Sequence, residues 1–149
     1  MELLKRGNDM TFTEIKGNLF DRELEHPSEY YVHCISRDYA CGAGIAKEFN
    51  KRYNLSLRLL DLPRTSCMVI DDVINLVTKS KYWQKPTYDS LRKTLFDLKE
   101  LCGESLLNVK TLVMPKIGCG LDKLSWKNVK KILKEIFEDT NVAIEVYYL

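Results

Sequence analysis

Met114-Pro-Lys-Ile-Gly-Cys-Gly-Leu-Asp-Lys-Leu-Ser-Trp126 is the stretch from which the rest of the chain is read. The apolar run Leu112 to Met114 stops at Pro115. A glycine-spaced loop follows, with Asp122 at its far end, and an amphipathic helix begins after Ser125. A strand that feeds a flexible loop and then a helix N-terminus is suited to hold an anion. Gly118 and Gly120 let backbone N–H groups turn inward, and the helix end adds partial positive charge. A carboxylate aimed into such a cradle would repel phosphate. Asp122 is therefore expected to work on an adjoining sugar, and a second phosphate loop is needed elsewhere in the chain.

Working outward, apolar runs alternate with helical stretches. Thr11 to Ile15 and Tyr30 to Ile35 read as strands. Ile45, Ala46, Phe49 and Tyr53 recur at helical spacing within Gly44 to Tyr53. Cys67 to Ile70 and Val73 to Thr78 read as strands around a turn at Asp71-Asp72. Pro86-Thr87 opens a helix with Tyr88, Leu91, Leu95, Leu98 and Cys102 along one face. Thr111 to Met114 is a strand. The helix after Ser125 buries Trp126, Val129, Leu133, Ile136 and Phe137, and Val142 to Leu149 closes the chain as a strand. This order predicts a three-layer α/β/α domain with a central mixed sheet. Ligands in such sheets sit outside the carboxyl ends of the strands. Three strand ends then matter: Ile35 into loop 36–44, Thr78 into loop 79–87 and Met114 into loop 115–124. The first contains Cys41-Gly-Ala-Gly44 before a helix and is the second phosphate candidate. Two such loops suit a diphosphate.

Composition narrows the classes. With 149 residues the chain is expected to be one domain over 1–149, residues 1–10 forming a loose extension. A net charge of +2 gives no support for a strongly steered polyanion or membrane binder. No apolar run approaches the roughly 20 residues a membrane span needs, and the first residues lack a signal-peptide core. The cysteines, Cys34, Cys41, Cys67, Cys102 and Cys119, number five and show no CxxC spacing. A disulfide framework and a zinc site are not expected, and an intracellular location, cytoplasmic or nuclear, is.

Several segments resemble a macrodomain: Lys16-Gly-Asn-Leu-Phe20, His33-Cys-Ile-Ser36, Gly42-Ala-Gly-Ile-Ala46, Lys85-Pro-Thr-Tyr88, Pro115-Lys-Ile-Gly-Cys-Gly-Leu-Asp122 and Val146-Tyr-Tyr-Leu149. The resemblance runs from about Thr11 to Leu149. It is nearest to the branch of terminal ADP-ribose protein glycohydrolases, which also deacylate O-acetyl-ADP-ribose. It implies an ADP-ribose cleft in which Leu19, Tyr147 and Leu149 flank the adenosine. Ser36, Gly42, Ala43, Gly44 and Ile45 would line one side of the diphosphate. Lys116, Ile117, Gly118, Cys119, Gly120 and Leu121 would hold the other side and the distal ribose. Lys79 matches the catalytic lysine and Asp122 the catalytic aspartate. Asn18 stands where the family usually has an aspartate at the adenine. No cofactor or metal is implied. The implied partners are ADP-ribose and ADP-ribosylated protein, with ADP-ribosylated nucleic acid a further candidate, and the chain is expected to act as a monomer without a membrane.

The bond at issue is an ester between the anomeric carbon and an aspartate or glutamate. A lysine that cleaves it must offer a free amine, while a free lysine titrates near about 10.4. Residue by residue, plainer roles compete. Lys79 could be a solvated lysine, Asp122 a cap for the following helix, and Gly118 and Gly120 a tight turn. His33 reads as a satisfied core histidine, and the lysines at 123, 127, 130, 131 and 134 as a wet helix face. Hydrolysis of ADP-ribose 1″-phosphate, hydrolysis of ADP-ribosylated DNA bases and non-catalytic ADP-ribose reading remain alternatives.

Overall fold

The computed structural model describes residues 10–104 and 106–149. The extension expected over residues 1–10 lies outside these, Met10 excepted. The elements in order are β1 (Thr11–Lys16), β2 (Glu29–Ser36), α1 (Gly44–Tyr53), α2 (Leu55–Arg58), β3 (Cys67–Ile70), β4 (Val73–Lys79), α3 (Tyr88–Cys102), β5 (Thr111–Met114), α4 (Trp126–Phe137) and β6 (Ala143–Tyr148). Among the described residues they form one sheet in the order β1-β6-β5-β2-β4-β3. Every pairing is parallel except that of β3 with β4. The mixed sheet expected from the element order is the one observed.

Local chemistry explains the boundaries. The β3–β4 turn puts Asp71 at a positive φ of 51°, which a short polar side chain tolerates. Arg58 holds it with a forked pair of bonds at 2.9 and 2.8 Å. Asn54, left-handed, ends α1 and starts the one-turn α2, an element the helical spacing alone does not reveal. At α3 the Thr87 hydroxyl accepts from the Ser90 N–H while Ser90 Oγ accepts from the Thr87 N–H, a reciprocal cap.

The sheet is covered on both faces, so its inner strands read as continuous apolar runs. Val32, Ile74, Leu76, Leu112, Met114, Ile144 and Val146 pack beneath α3 and α4, against Leu91, Leu95, Val129, Leu133 and Phe137. On the other face Tyr31, Ile35, Val73 and Val113 pack against Phe49 of α1, Leu55 of α2 and Leu59. In the middle of the sheet His33 and Asn75 face each other across β2 and β4. Neither is exposed to solvent, and His33 Nε2 meets Asn75 Oδ1 at 2.5 Å. The imidazole also lies 4.2 Å from the Phe49 ring. Burial pushes its pKa down to about 4, partly opposed by the bond to Asn75. A neutral core histidine is the outcome.

One irregularity positions the site. Ile35 pairs with Val77, but Ser36 pairs with Lys79, so Thr78 is an extra residue on β4. Such a bulge re-phases the alternation of side chains along a strand. Lys79, and not Thr78, ends opposite Ser36, and the register continues with the Arg37 N–H donating to the Lys79 carbonyl at 2.9 Å.

Candidate active site

The parallel strands β2, β4 and β5 end on the same edge of the sheet, and the loops that leave them enclose a cleft of about 990 Å³. Of the predicted binding residues, Ser36, Gly42, Ala43, Gly44 and Ile45 lie along one wall. Lys116, Ile117, Gly118, Cys119, Gly120 and Leu121 lie along the other. Lys79, Asp122 and Tyr147 also line the cleft.

Leu19 and Leu149 do not line it. Leu19, in a single 3₁₀ turn, is buried with Phe49 and Tyr31. Leu149 is 93% exposed beyond the end of β6. An apolar residue in a turn packs where the nearest uncovered core is, which spacing along the chain does not show. Asn18 uses its side-chain oxygen to accept from the Phe20 N–H at 3.0 Å and so caps that turn.

The two walls are built differently. On the first, α1 starts at Gly44, and Ala43 before it supplies no side-chain cap. Among the described residues nothing accepts from the N–H groups of Gly44, Ile45 and Ala46, at the end that carries the partial positive charge. Gly44 has φ +59°, and a Cβ there would lie 3.2 Å from the Leu121 side chain of the opposite wall. The two loops thus meet across the cleft at a residue where a side chain would be strained and would crowd Leu121. Tyr39 and Cys41 also hold positive φ, at 56° and 47°, kept there by burial.

On the second wall the expectation of a helix N-terminus fails. Residues 123–126 do not line the cleft. The start of α4 is tied instead to Tyr88 of α3, whose hydroxyl oxygen accepts from the Ser125 N–H at 2.9 Å and the Asn128 side chain at 3.2 Å. The cradle is the loop backbone itself. Turns closed by Cys119 N–H on the Lys116 carbonyl and Leu124 N–H on the Gly118 carbonyl fold it back. Among the described residues nothing accepts from the N–H groups of Gly120, Leu121 or Asp122. Gly118 carries the strained angle, φ +72°. Gly120 has room for a Cβ and no such angle, so the loop does not need glycine there for its own shape.

Asp122 is no helix cap. Its Oδ1 accepts from Lys79 Nζ at 2.7 Å, and each side chain is 15% exposed. A cation that can lose a proton and a carboxylate that can take it are in contact at the end of a cleft. Lys85 reaches across from the third loop and donates to the Leu121 carbonyl at 2.6 Å. Lys81 does not line the cleft.

Two contributors escaped the sequence reading. Tyr82 lines the cleft, but as an exposed loop aromatic three places after Lys79 it carries no periodic signal. Asp38 ties two loops together, accepting from the Ser36 hydroxyl and the Ala40 N–H with one oxygen and from the Tyr82 N–H at 2.8 Å with the other. Burial raises the Asp38 carboxyl, but these bonds outweigh it and hold the group below the ordinary carboxylate range. The cleft thiols go the other way: burial pushes Cys34 up to about 12 and Cys119 up to about 11. Protonated thiols are poor nucleophiles. Among the described residues no His, Cys, Asp and Glu group could hold a metal ion.

A mixed α/β/α sheet with an anion-binding cleft at its carboxyl edge, walled by two glycine loops, defines a macrodomain. The macrodomain of Thermus aquaticus DarG superposes with a TM-score of 0.76 at 21% identity, over 94% of this chain and 99% of that one. By sequence, the chain belongs to the family of the ADP-ribose glycohydrolase OARD1, and membership makes it a hydrolase. The Bos taurus protein of that name is 41% identical over 143 residues, 92% of this chain and 91% of its own length. The Homo sapiens protein is 38% identical over the same shares. No family model matches the chain.

Proposed function

We propose that the chain removes mono-ADP-ribose from aspartate and glutamate side chains, with Lys79 as nucleophile and Asp122 as proton carrier. The observation that carries this is the 2.7 Å contact between them beside the unpaired N–H groups of the second wall. Binding a diphosphate requires neither residue. A carboxylate in that place is unfavourable for binding alone, which argues against a non-catalytic reader.

The chemistry follows from the pair. Moving a proton from the ammonium to the carboxylate exchanges two opposite charges for two neutral groups, a change that expulsion of water by substrate favours. The free amine attacks the anomeric carbon of the distal ribose. The Nζ–carbon bond forms as the carbon–oxygen bond to the acyl group breaks, and the carboxylate leaves with the bonding pair. Proton transfer from the adduct nitrogen to the ring oxygen, by way of Asp122, opens the ribose to a lysine imine. Water adds to the imine carbon, the carbon–Nζ bond breaks with Lys79 leaving as the ammonium, the ring closes, and Asp122 gives up its proton with the product acid. The two walls hold the diphosphate so that attack is effectively unimolecular, which can supply a large share of the rate. The same cleft accepts O-acetyl-ADP-ribose as a small ester, and ADP-ribosylated protein is the macromolecular partner. The chain acts as a monomer inside the cell.

The test is incubation with a glutamate-linked mono-ADP-ribosylated peptide, beside Lys79→Ala and Lys79→Arg. Both variants should be inactive, because arginine keeps the charge but does not give up its proton. Borohydride should trap the wild-type adduct, and peptide mass spectrometry should place it on Lys79. Substantial activity in Lys79→Arg, or an adduct on Lys81 or Lys85, would overturn the assignment.

A further inference from the structure

The turn 80–86 leaves β4 directly after Lys79. Its backbone is firmly held. Tyr82 N–H donates to Asp38, Lys81 N–H to the Gln84 side chain at 2.8 Å, and Gln84 N–H back to the Lys81 carbonyl at 3.0 Å. Yet the two side chains it presents, Tyr82 and Trp83, are 65% and 67% exposed. Single exposed apolar residues are ordinary. Two adjacent amphipathic rings on a fixed turn are the composition of contact surfaces, since they offer large rigid area at little cost in side-chain entropy. Their position narrows the choice. Tyr82 is on the cleft wall with Lys79 and Lys85, and Trp83 is the next residue outside it.

We infer that Trp83, together with Tyr82, is the platform on which the polypeptide carrying the ester-linked ADP-ribose rests, so that this turn distinguishes modified protein from small acyl-ADP-ribose. The inference rests on the ester-cleaving reading above. An aspartate or glutamate joined to the anomeric carbon puts its own backbone one side chain away from Lys79, against whatever forms the rim there. An indole and a phenol offer flat apolar faces to that backbone and an N–H and an O–H to its carbonyls. Lys81, exposed between Lys79 and the aromatics, makes no direct ion pair among the described residues, although its charge is felt by the Asp38 carboxyl. It suits the acidic surroundings of modified carboxylates. An acetyl group brings no polypeptide to rest on Trp83, which lies outside the cleft lining.

The experiment compares wild type with Trp83→Ala and Trp83→Phe on a glutamate-linked mono-ADP-ribosylated peptide, on O-acetyl-ADP-ribose, on an ADP-ribosylated oligonucleotide and in binding of free ADP-ribose. Trp83→Ala should raise KM for the peptide about tenfold with kcat within about twofold. Its turnover of O-acetyl-ADP-ribose and its ADP-ribose Kd should stay within about twofold of wild type, and Trp83→Phe should recover most of the peptide KM. An unchanged peptide KM in Trp83→Ala overturns the platform alone, as does an equal loss on O-acetyl-ADP-ribose. A loss confined to the oligonucleotide overturns the polypeptide as its occupant. A wild-type chain that binds ADP-ribose but does not cleave the peptide ester overturns the ester-cleaving reading, and the platform with it.

Discussion

The two glycine loops look alike in sequence and work by different devices. Both leave a parallel strand, both contain two glycines separated by one residue, and both precede a helix. In the first, the helix is the device: α1 presents an uncapped N-terminus to the cleft. In the second, the helix takes no part: residues 123–126 stand off the cleft, the Ser125 N–H goes to the Tyr88 hydroxyl, and the loop lines the wall. The reason is what each wall must accommodate. A wall that only binds can bring the full helix end to bear on a phosphate. The wall that carries Asp122 sets the carboxylate against Lys79, and the helix end stands off the cleft. A strand–glycine loop–helix pattern thus identifies a place for an anion, but not which groups hold it.

Breaking the second wall should give the largest effect. Asp122→Ala should lower turnover by about 10³-fold, roughly 4 kcal/mol of barrier, while ADP-ribose affinity stays within about tenfold, or 1.4 kcal/mol. Because Asp122 caps nothing, its melting temperature should not fall as that of a lost cap would. Calorimetry with ADP-ribose, a turnover assay and a melting curve on one preparation separate these roles.

Acid should loosen the first wall. His33 supports α1 through Phe49, and its pKa falls from about 6.5 unfolded to about 4 folded. Between those values the unfolded chain binds the extra proton. Stability is therefore greatest above pH 6.5 and declines as the pH falls toward 4, by about 3 kcal/mol for this group. Urea unfolding from pH 7 to 4 should show the decline, and His33→Gln should flatten it while costing stability at neutral pH. A slope in that window unchanged by His33→Gln would remove the imidazole from the account.

Glycine substitutions should sharpen the contrast between the loops. Gly44→Val meets both a left-handed φ and the Leu121 side chain, and should weaken ADP-ribose binding about a hundredfold, close to 2.7 kcal/mol. Gly120→Ala meets neither obstacle in the folded loop, so any loss of affinity, with melting unchanged, reports directly on ligand space. Equal effects at the two positions would mean that the walls are not built differently after all.

The smallest expected change is at the cap. Tyr88→Phe removes the acceptor for Ser125 N–H and the Asn128 side chain. It should cost about 1 kcal/mol of stability, seen as a lower melting temperature with turnover unaffected. A collapse of turnover instead would place α4's N-terminus in the active site.

Much of this molecule was determined by its sequence alone. Alternating apolar runs and helical periodicities are local, and they marked the strands and the three long helices because each buries one predictable face of its own chain. The carboxyl-edge rule then brought loops 36–44, 79–87 and 115–124 together, and the motif from Pro115 to Asp122 carried the family. What tertiary structure alone decided are the choices made between elements distant in sequence. The bulge at Thr78 swings Lys79 opposite Ser36, a register that exists only once β2 and β4 are paired. Tyr88 takes the Ser125 N–H, and Asp122 pairs with Lys79. Asp38 joins the first loop to the turn that carries Tyr82. Leu19 turns inward to the core that Phe49 and Tyr31 offer. In each case a polar or apolar group is satisfied by a partner that only folding brings near, and hydrogen bonding and burial go to whichever partner the packed elements supply.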